Sequence, residues 1–194
     1  MVLRIRKIVS LGSLVLVASA VLLLAGPLSG TASASASPCK RWGNDNPRHL
    51  SQRQARAAVR CLLNRRRENH GLRRLHKSSR LKKAAQKHTK RMQRQRCFEH
   101  ECPGEPSVLS RLKRVRYIHN GLRRWSYGEN IAYGGSDFGT PKAIVRAWMH
   151  SAGHRHNILN PDFREIGVGV LFGIPPEPGS NGTTFTTDFG MRKR

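Results

Sequence analysis

Acidic residues are scarce in this chain: 11 Asp and Glu face 36 Lys and Arg across 194 residues, a formal net charge of +25. The imbalance turns the protein away from cationic partners and toward polyanions: nucleic acid, anionic lipid head groups or acidic wall polymers. Three of the positive charges, Arg4, Arg6 and Lys7, lie in the first 36 residues, which leaves +22 on the rest. The arginines and lysines are scattered along helical stretches and not gathered into one reading motif. A sequence-specific nucleic-acid reader is therefore not expected, and a solvated basic surface is the plain alternative to a polyanion site. Cysteine is limited to 4 residues with no CxxC among them, which argues against a cysteine-built metal site. After Ala25 no segment is apolar enough to cross a bilayer. There is no internal repeat, and no serine or cysteine stands in a nucleophile motif with a histidine and an acid.

What is present begins with an export signal. The basic residues Arg4 to Lys7 precede a nearly unbroken apolar run from Ile8 to Ala25. Small residues follow from Ser29 to Ser37, with Ala32-Ser33-Ala34 and Ala34-Ser35-Ala36 as cleavage sites. An uncleaved anchor is the alternative, since about 18 apolar residues just span a bilayer. The reading assigns 1–36 to a cleavable signal, 37–50 to a polar arm and 51–194 to one globular domain, a monomer secreted or held at the envelope. In an exported chain, Cys39, Cys61, Cys97 and Cys102 read as disulfides. Four cysteines allow three connectivities, and the pairing local in sequence, Cys39–Cys61 and Cys97–Cys102, is the expected one. The first closes a loop of about 23 residues, worth roughly 3 kcal/mol in loop entropy.

The domain opens on a helix. Ser51 and Gln54 form a capping box, Ala55, Val59, Leu62 and Leu63 recur at helical spacing, and Gly71 ends the run. A second helix from Ser78 or Ser79 places Leu81, Ala84, Ala85, His88 and Met92 on one face. Cys97 to Pro106 is an acidic loop, Ser107 to Arg114 a short helix, and Trp125 to Gly135 a loop rich in aromatics and glycine. Thr140 and Pro141 start a further helix to about Met149, and Gly153 to Asn160 is a turn or helix. Strands are expected over Glu165–Phe172 and Thr183–Phe189, paired antiparallel. Helices first and strands last give an α+β architecture.

Ligand-capable side chains concentrate in three turns: Cys97-Phe98-Glu99-His100, Tyr127-Gly128-Glu129-Asn130, and Trp148 through His150, Ser151, His154 and Asn157. Together with Leu63-Asn64-Arg65, Gly167-Val168-Gly169 and Thr187-Asp188-Phe189-Gly190, their order and spacing resemble the CAP superfamily of cysteine-rich secretory, venom-antigen and pathogenesis-related proteins. The bacterial exported branch, carrying what is called an SCP domain, is the nearer likeness, over about Cys39 to Gly190. The resemblance implies an α–β–α sandwich with a three-stranded antiparallel sheet between helical layers. It also implies a cleft whose residues are His100, Glu129 and His154, with Tyr127, Asn130, Trp148 and Ser151 lining it. In some members the cleft holds a divalent metal. Ser151 stands where the family places a second acid, so this chain offers one carboxylate fewer.

Two neutral imidazoles and a carboxylate suit zinc with water as fourth ligand, although no cofactor is required. The alternative is a hydrogen-bonded cluster that holds the cleft together without metal. The His150/His154 spacing is read as accidental because Gly153 interrupts the helix. His156 is read as solvated, His88 as a satisfied core histidine, and Glu99 and Glu101 as surface acids. Gly167 and Gly169 let a helix approach the sheet, while Trp125, Tyr133 and Trp148 wall the cleft or fill the core. The expected function is a non-enzymatic module binding an envelope component, lipid or metal. A metal-dependent hydrolase of peptide or wall material, or a cationic envelope-binding protein, are the alternatives.

Overall fold

The structure, a computed structural model, describes residues 37–194. The export signal expected over 1–36, and its cleavage, lie outside the described residues. The arm is more ordered than its composition foretells. Pro38–Trp42 forms a short helix, α1, which the Cys39–Cys61 disulfide ties to α2 (Gln52–Glu68). The Ser51 capping box is made: Ser51 Oγ accepts from Gln54 N–H, and Gln54 Oε1 accepts from Ser51 N–H at 2.7 Å. Ala55, Val59 and Leu63 are buried, as the four-residue spacing requires. Just past them, Asn64 imitates a strand neighbour for Leu75. Its Oδ1 accepts the Leu75 N–H at 2.8 Å and its Nδ2 donates to the Leu75 carbonyl at 3.2 Å.

The chain continues through β1 (His76–Lys77), α3 (Ser79–Gln95), α4 (Val108–Arg114) and β2 (Arg124–Gly135). After these come α5 (Pro141–His150), α6 (Ala152–Leu159), β3 (Glu165–Phe172) and β4 (Gly182–Lys193). Two expectations need correction. The stretch from Trp125 to Gly135 is a strand, not a loop: β2 pairs antiparallel with β4 along its whole length, from Arg124 opposite Lys193 to Gly135 opposite Gly182. Glycine weakens the local signal, and the long-range ladder supplies what local propensity lacks. The sheet also has four strands, ordered β1-β3-β4-β2, because the two residues of β1 add a parallel edge beside β3. The remaining three strands are antiparallel, as expected.

Alternation along the strands sorts the layers. Ile166, Val168 and Val170 of β3 and Phe185 and Phe189 of β4 join Leu63, Val145, Trp148 and Ile158 in the main core, against α2, α5 and α6. The other sheet face meets α3 and is unusually polar. The Thr89 and Thr186 hydroxyls are hydrogen-bonded at 2.9 Å, and Gln93 donates to Thr184 Oγ1 at 3.1 Å. The close approach rests on two glycines. A Cβ at Gly167 would lie 2.0 Å from Lys82 N, and one at Gly169 would lie 2.5 Å from the Ala85 carbonyl. The obstacles are helix backbone, which cannot swing aside. Gly169→Ala is therefore expected to cost about 3 kcal/mol of stability, read as a lower urea midpoint at unchanged slope. An unmoved midpoint would mean that α3 lifts from the sheet without loss.

Arg67 locks the second layer. Fully buried, it donates to the carbonyls of Ile158 (2.7 Å), Asn160 (2.8 Å), Phe163 and Arg73, so one guanidinium closes the C-terminal end of α6 and the turn after it. Among the described residues no helix is long and apolar enough to cross a membrane.

Candidate functional site

Strand alternation decides where the Gly128-Glu129-Asn130 motif points. Glu129 shares a face with its β4 partner Asp188, toward α3, whereas Gly128 and Asn130 face α6. On the α6 side Asn157 organises the turn. Its Nδ2 donates to the Glu129 carbonyl at 3.2 Å and to Asn130 Oδ1 at 2.9 Å, and Asn130 Nδ2 donates to the His154 carbonyl at 3.1 Å. The glycine before Glu129 is explained by this: a Cβ at Gly128 would stand 2.6 Å from Asn157 Oδ1 and 3.2 Å from the Phe163 ring. Trp148 Nε1 donates to the Ile131 carbonyl at 3.0 Å. Both carbonyls lie on the outer edge of β2, so side chains of α5 and α6 cover the middle of an edge that would otherwise accept a further strand.

On the α3 side, the loop closed by the Cys97–Cys102 disulfide carries His100 over the strand. His100 Nδ1 lies 2.8 Å from Glu129 Oε1. The second oxygen of Glu129 accepts from Arg111 Nη2 of α4 at 2.5 Å. Arg111, almost fully buried, is the hub: its Nη1 donates to the His100 carbonyl at 2.7 Å and sits 3.2 Å from Glu105 Oε2. His88 Nδ1 is 2.8 Å from both Glu105 Oε2 and Arg111 Nη1, so either tautomer finds a partner there. Its Nε2 has no hydrogen-bond partner and lies 3.9 Å from Glu129 Oε1.

The protonation states follow from these neighbours. Burial pushes Glu129 upward, but the His100 hydrogen bond and the charges of His88 and Arg111 outweigh it, so its pKa lies below the usual carboxylate value. Asp188, wholly buried and bonded to Glu129, is driven well above its ordinary value, first by desolvation and then by the Glu129 charge. Of the two carboxyls, Asp188 is therefore the one that holds its proton to higher pH. The hydrogen bond to Glu129 raises His100. Burial lowers His88 despite its acidic neighbours. His154 is lowered by burial and then by the charge of His100, which places the two imidazoles within electrostatic reach of each other.

His100 and Glu129 thus come together, whereas among the described residues the His154 side chain makes no hydrogen bond to either and feels only the charge of His100. Tyr127 is exposed on the same face of β2. Asn130 and Trp148 are not open to a cleft: Asn130 is fully buried, and Trp148 fills the core at 1% exposure. Of the two expectations for Trp148, cleft wall or core, the structure takes the core, where the ring packs in one cluster with Leu63 and Phe185. Ser151, partly buried, separates α5 from α6 with extended backbone. That break, and not Gly153, puts His150 and His154 on different helices. Glu99 and Glu101 are exposed, and His88 is buried.

As arranged, the donors do not fit a resident metal. Among the described residues no three His, Cys, Asp or Glu side chains are grouped to hold one. Both oxygens of Glu129 are engaged, one by a guanidinium whose charge repels a cation. Sequence reasoning missed Arg111 and Glu105, and it cited Asp188 only within a motif. Nothing distinguishes Arg111 among 36 basic residues. For Glu105 the scarcity of acids was the usable signal.

The profile of the cysteine-rich secretory protein family (CAP) matches residues 62–175. An uncharacterized Bacillus subtilis (strain 168) protein, YkwD, is 39% identical over 110 residues, which are 57% of this chain and 40% of that protein. The chain spans less than half the length of the curated relatives it matches. Among solved structures, an outer surface protein of Borrelia burgdorferi superposes with a TM-score of 0.61 at 19% identity, over 74% of this chain and 97% of that one, a likeness of fold. An extracellular SCP-domain protein of Bacillus anthracis gives 0.55 at 26% identity, over 72% of this chain and 43% of its own. A profile match over more than half of the chain, on this sheet and these helical layers, means that the protein belongs to the cysteine-rich secretory protein (CAP) family.

Proposed function

We propose that this CAP domain is a non-enzymatic binding module of the cell envelope, exported by its N-terminal apolar stretch, whose ligand lies along the outer face of β2 around His100 and Glu129. The observation that carries this reading is the enclosure of Glu129. With its oxygens bonded to His100 and Arg111 and its side chain 2% exposed, the carboxylate presents no open acceptor to a substrate proton, and its task is to orient His100. Exposed rings flank the pair. Trp125 and Tyr127 stack 6.1 Å apart on one side, and Phe98 and Tyr133 meet edge to face at 4.7 Å on the other. All four are 36–42% exposed. Rings of this kind offer rigid apolar contact area, here with a half-exposed imidazole between them as the polar handle. The ligand chemistry that fits is an envelope component with flat apolar faces, such as a glycan or a lipid.

Trp125→Ala/Tyr127→Ala is expected to weaken retention on isolated envelope fractions about tenfold or more. Equal retention of variant and parent would sink the site. Calorimetric titration with zinc distinguishes the hydrolase alternative. No binding is expected at micromolar zinc. Tight binding that His100→Ala/His154→Ala abolishes would replace this proposal with a metal-dependent enzyme.

A further inference from the structure

The groove between α2 and α3 is a concavity of about 880 Å³, lined by none of the residues of the His100 site. Arg53, Arg56 and Arg60 of α2 line one wall, and Lys77 of β1 and Lys82 of α3 line the other. No acid lines it, and among the described residues none of the five cations has an ion-pair partner. A second concavity, of about 940 Å³, is also basic, but it contains Glu105 and Arg111 and backs onto the buried network already described. In the first groove the positive charge is uncompensated. Both α2 and α3 begin there, at Ser51 and Ser78, and their dipoles add to the field. Between the helices the floor is the outer edge of β3. Ile166 O accepts the Ser78 N–H at 2.9 Å, and Gln86 brackets Val170 on both its carbonyl and its N–H. Val168, between them, presents its backbone to the groove.

We infer that this groove binds a linear, phosphate-rich polymer of the envelope. Arg53, Arg56 and Arg60 follow one another at three and four residues, so they form a row about 10 Å long on one helix face. A row of forked donors matches an anion that repeats along a chain and not a single small anion. Burial lowers the basicity of Arg56, and burial together with the neighbouring Arg74 lowers that of Arg60. The guanidiniums are thus held where an anion would relieve them. A single strand of nucleic acid is held by stacking its bases on free aromatic faces; the one ring here, Trp42, is covered by Arg41 at 5.3 Å. A bilayer is flat, whereas these cations line a concave wall. The envelope as the source of the polymer rests on the function proposed above; the preference for repeated phosphate does not.

Inorganic polyphosphate of several tens of units is the probe, titrated into the full chain at several salt concentrations. Arg53→Gln/Arg56→Gln/Arg60→Gln is expected to weaken binding about 100-fold and to reduce the slope of log K against log salt by about 2. Lys87→Gln/Lys90→Gln/Arg94→Gln, which removes the same charge from the other groove, is expected to change affinity less than about threefold. Equal losses in the two triple variants would overturn the inference in favour of diffuse charge. So would a single-stranded oligonucleotide of matched charge, or anionic vesicles, competing as well as polyphosphate. If the arginine triple fails to fold, judged by its melting curve, Lys77→Gln/Lys82→Gln takes its place with an expected loss of about 30-fold. Trp125→Ala/Tyr127→Ala should leave polyphosphate binding intact, so failure of the aromatic site and failure of the groove read out separately.

Discussion

Arg111→Met is expected to destabilise the protein by about 3–5 kcal/mol, because it removes the cation that two buried carboxylates share. The Glu105 and Glu129 side chains are 4% and 2% exposed, and Arg111 is the cation that both of them face at 3.2 and 2.5 Å. Methionine matches the length of the arginine stem, so little of the loss is cavity. The His100 carbonyl also loses its donor, and the loop that positions the imidazole loosens with it. Denaturant unfolding at neutral pH gives the number. A double-mutant cycle with Glu129→Gln then isolates the ion pair: the double variant is expected to recover part of the loss, since the glutamine carries no charge to strand. A cost below about 1 kcal/mol for the single variant would show that water already reaches these carboxylates.

Asp188→Asn is expected to stabilise the protein at neutral pH, an unusual outcome for a fully buried polar side chain. In the folded state Asp188 keeps its proton above the pH at which the unfolded chain releases it. The native state therefore binds more protons than the unfolded state over that window, and stability falls as pH rises through it. Asparagine keeps a donor toward Glu129 and removes the penalty. The variant should match the parent near pH 3. Above about pH 4 it should gain about 1.4 kcal/mol per pH unit, until the advantage levels off at the folded-state pKa of Asp188. Its neighbours act in other windows. Glu129, with a depressed folded pKa, contributes stability above its unfolded pKa that is lost as pH falls. His100, raised, contributes below its unfolded pKa and loses that contribution as pH climbs through the folded one, though half exposure keeps the effect small. His88, lowered, costs stability as pH falls below its unfolded pKa, where only the unfolded ring takes up a proton. A difference curve without pH dependence between about pH 4 and 7 would contradict the protonated Asp188.

Both tests act on the same cluster, which also sets what the β2 face presents to a ligand. Glu129 is pinned from behind by Arg111 and Asp188, so His100 receives a fixed, ionised acceptor. Under the proposed function that is a rigid recognition element flanked by rings, which accounts for buried charges that persist although an apolar replacement of similar volume would be neutral or better for stability.

Local chemistry alone determined much of this protein. The Ser51 box, the Thr140-Pro141 start and the apolar spacing of the helices involve groups within a turn or two of one another, so they stand in the sequence as they do in the fold. The Cys39–Cys61 and Cys97–Cys102 bridges obey the same logic of proximity, and Gly167 and Gly169 betrayed a close helix by having no side chain. Tertiary structure decided the rest. β2 is a strand because twelve residues of β4 lie beside it, not because Gly128, Gly134 and Gly135 favour extension. Trp148 went to the core and not to a cleft wall, which depended on the gap left by α5 and the sheet. Arg111 became the hub of the site through a position in space beside Glu105 and Glu129 that no spacing in the chain encodes. A charge pair draws its strength from distance and burial, and both are properties of the folded molecule.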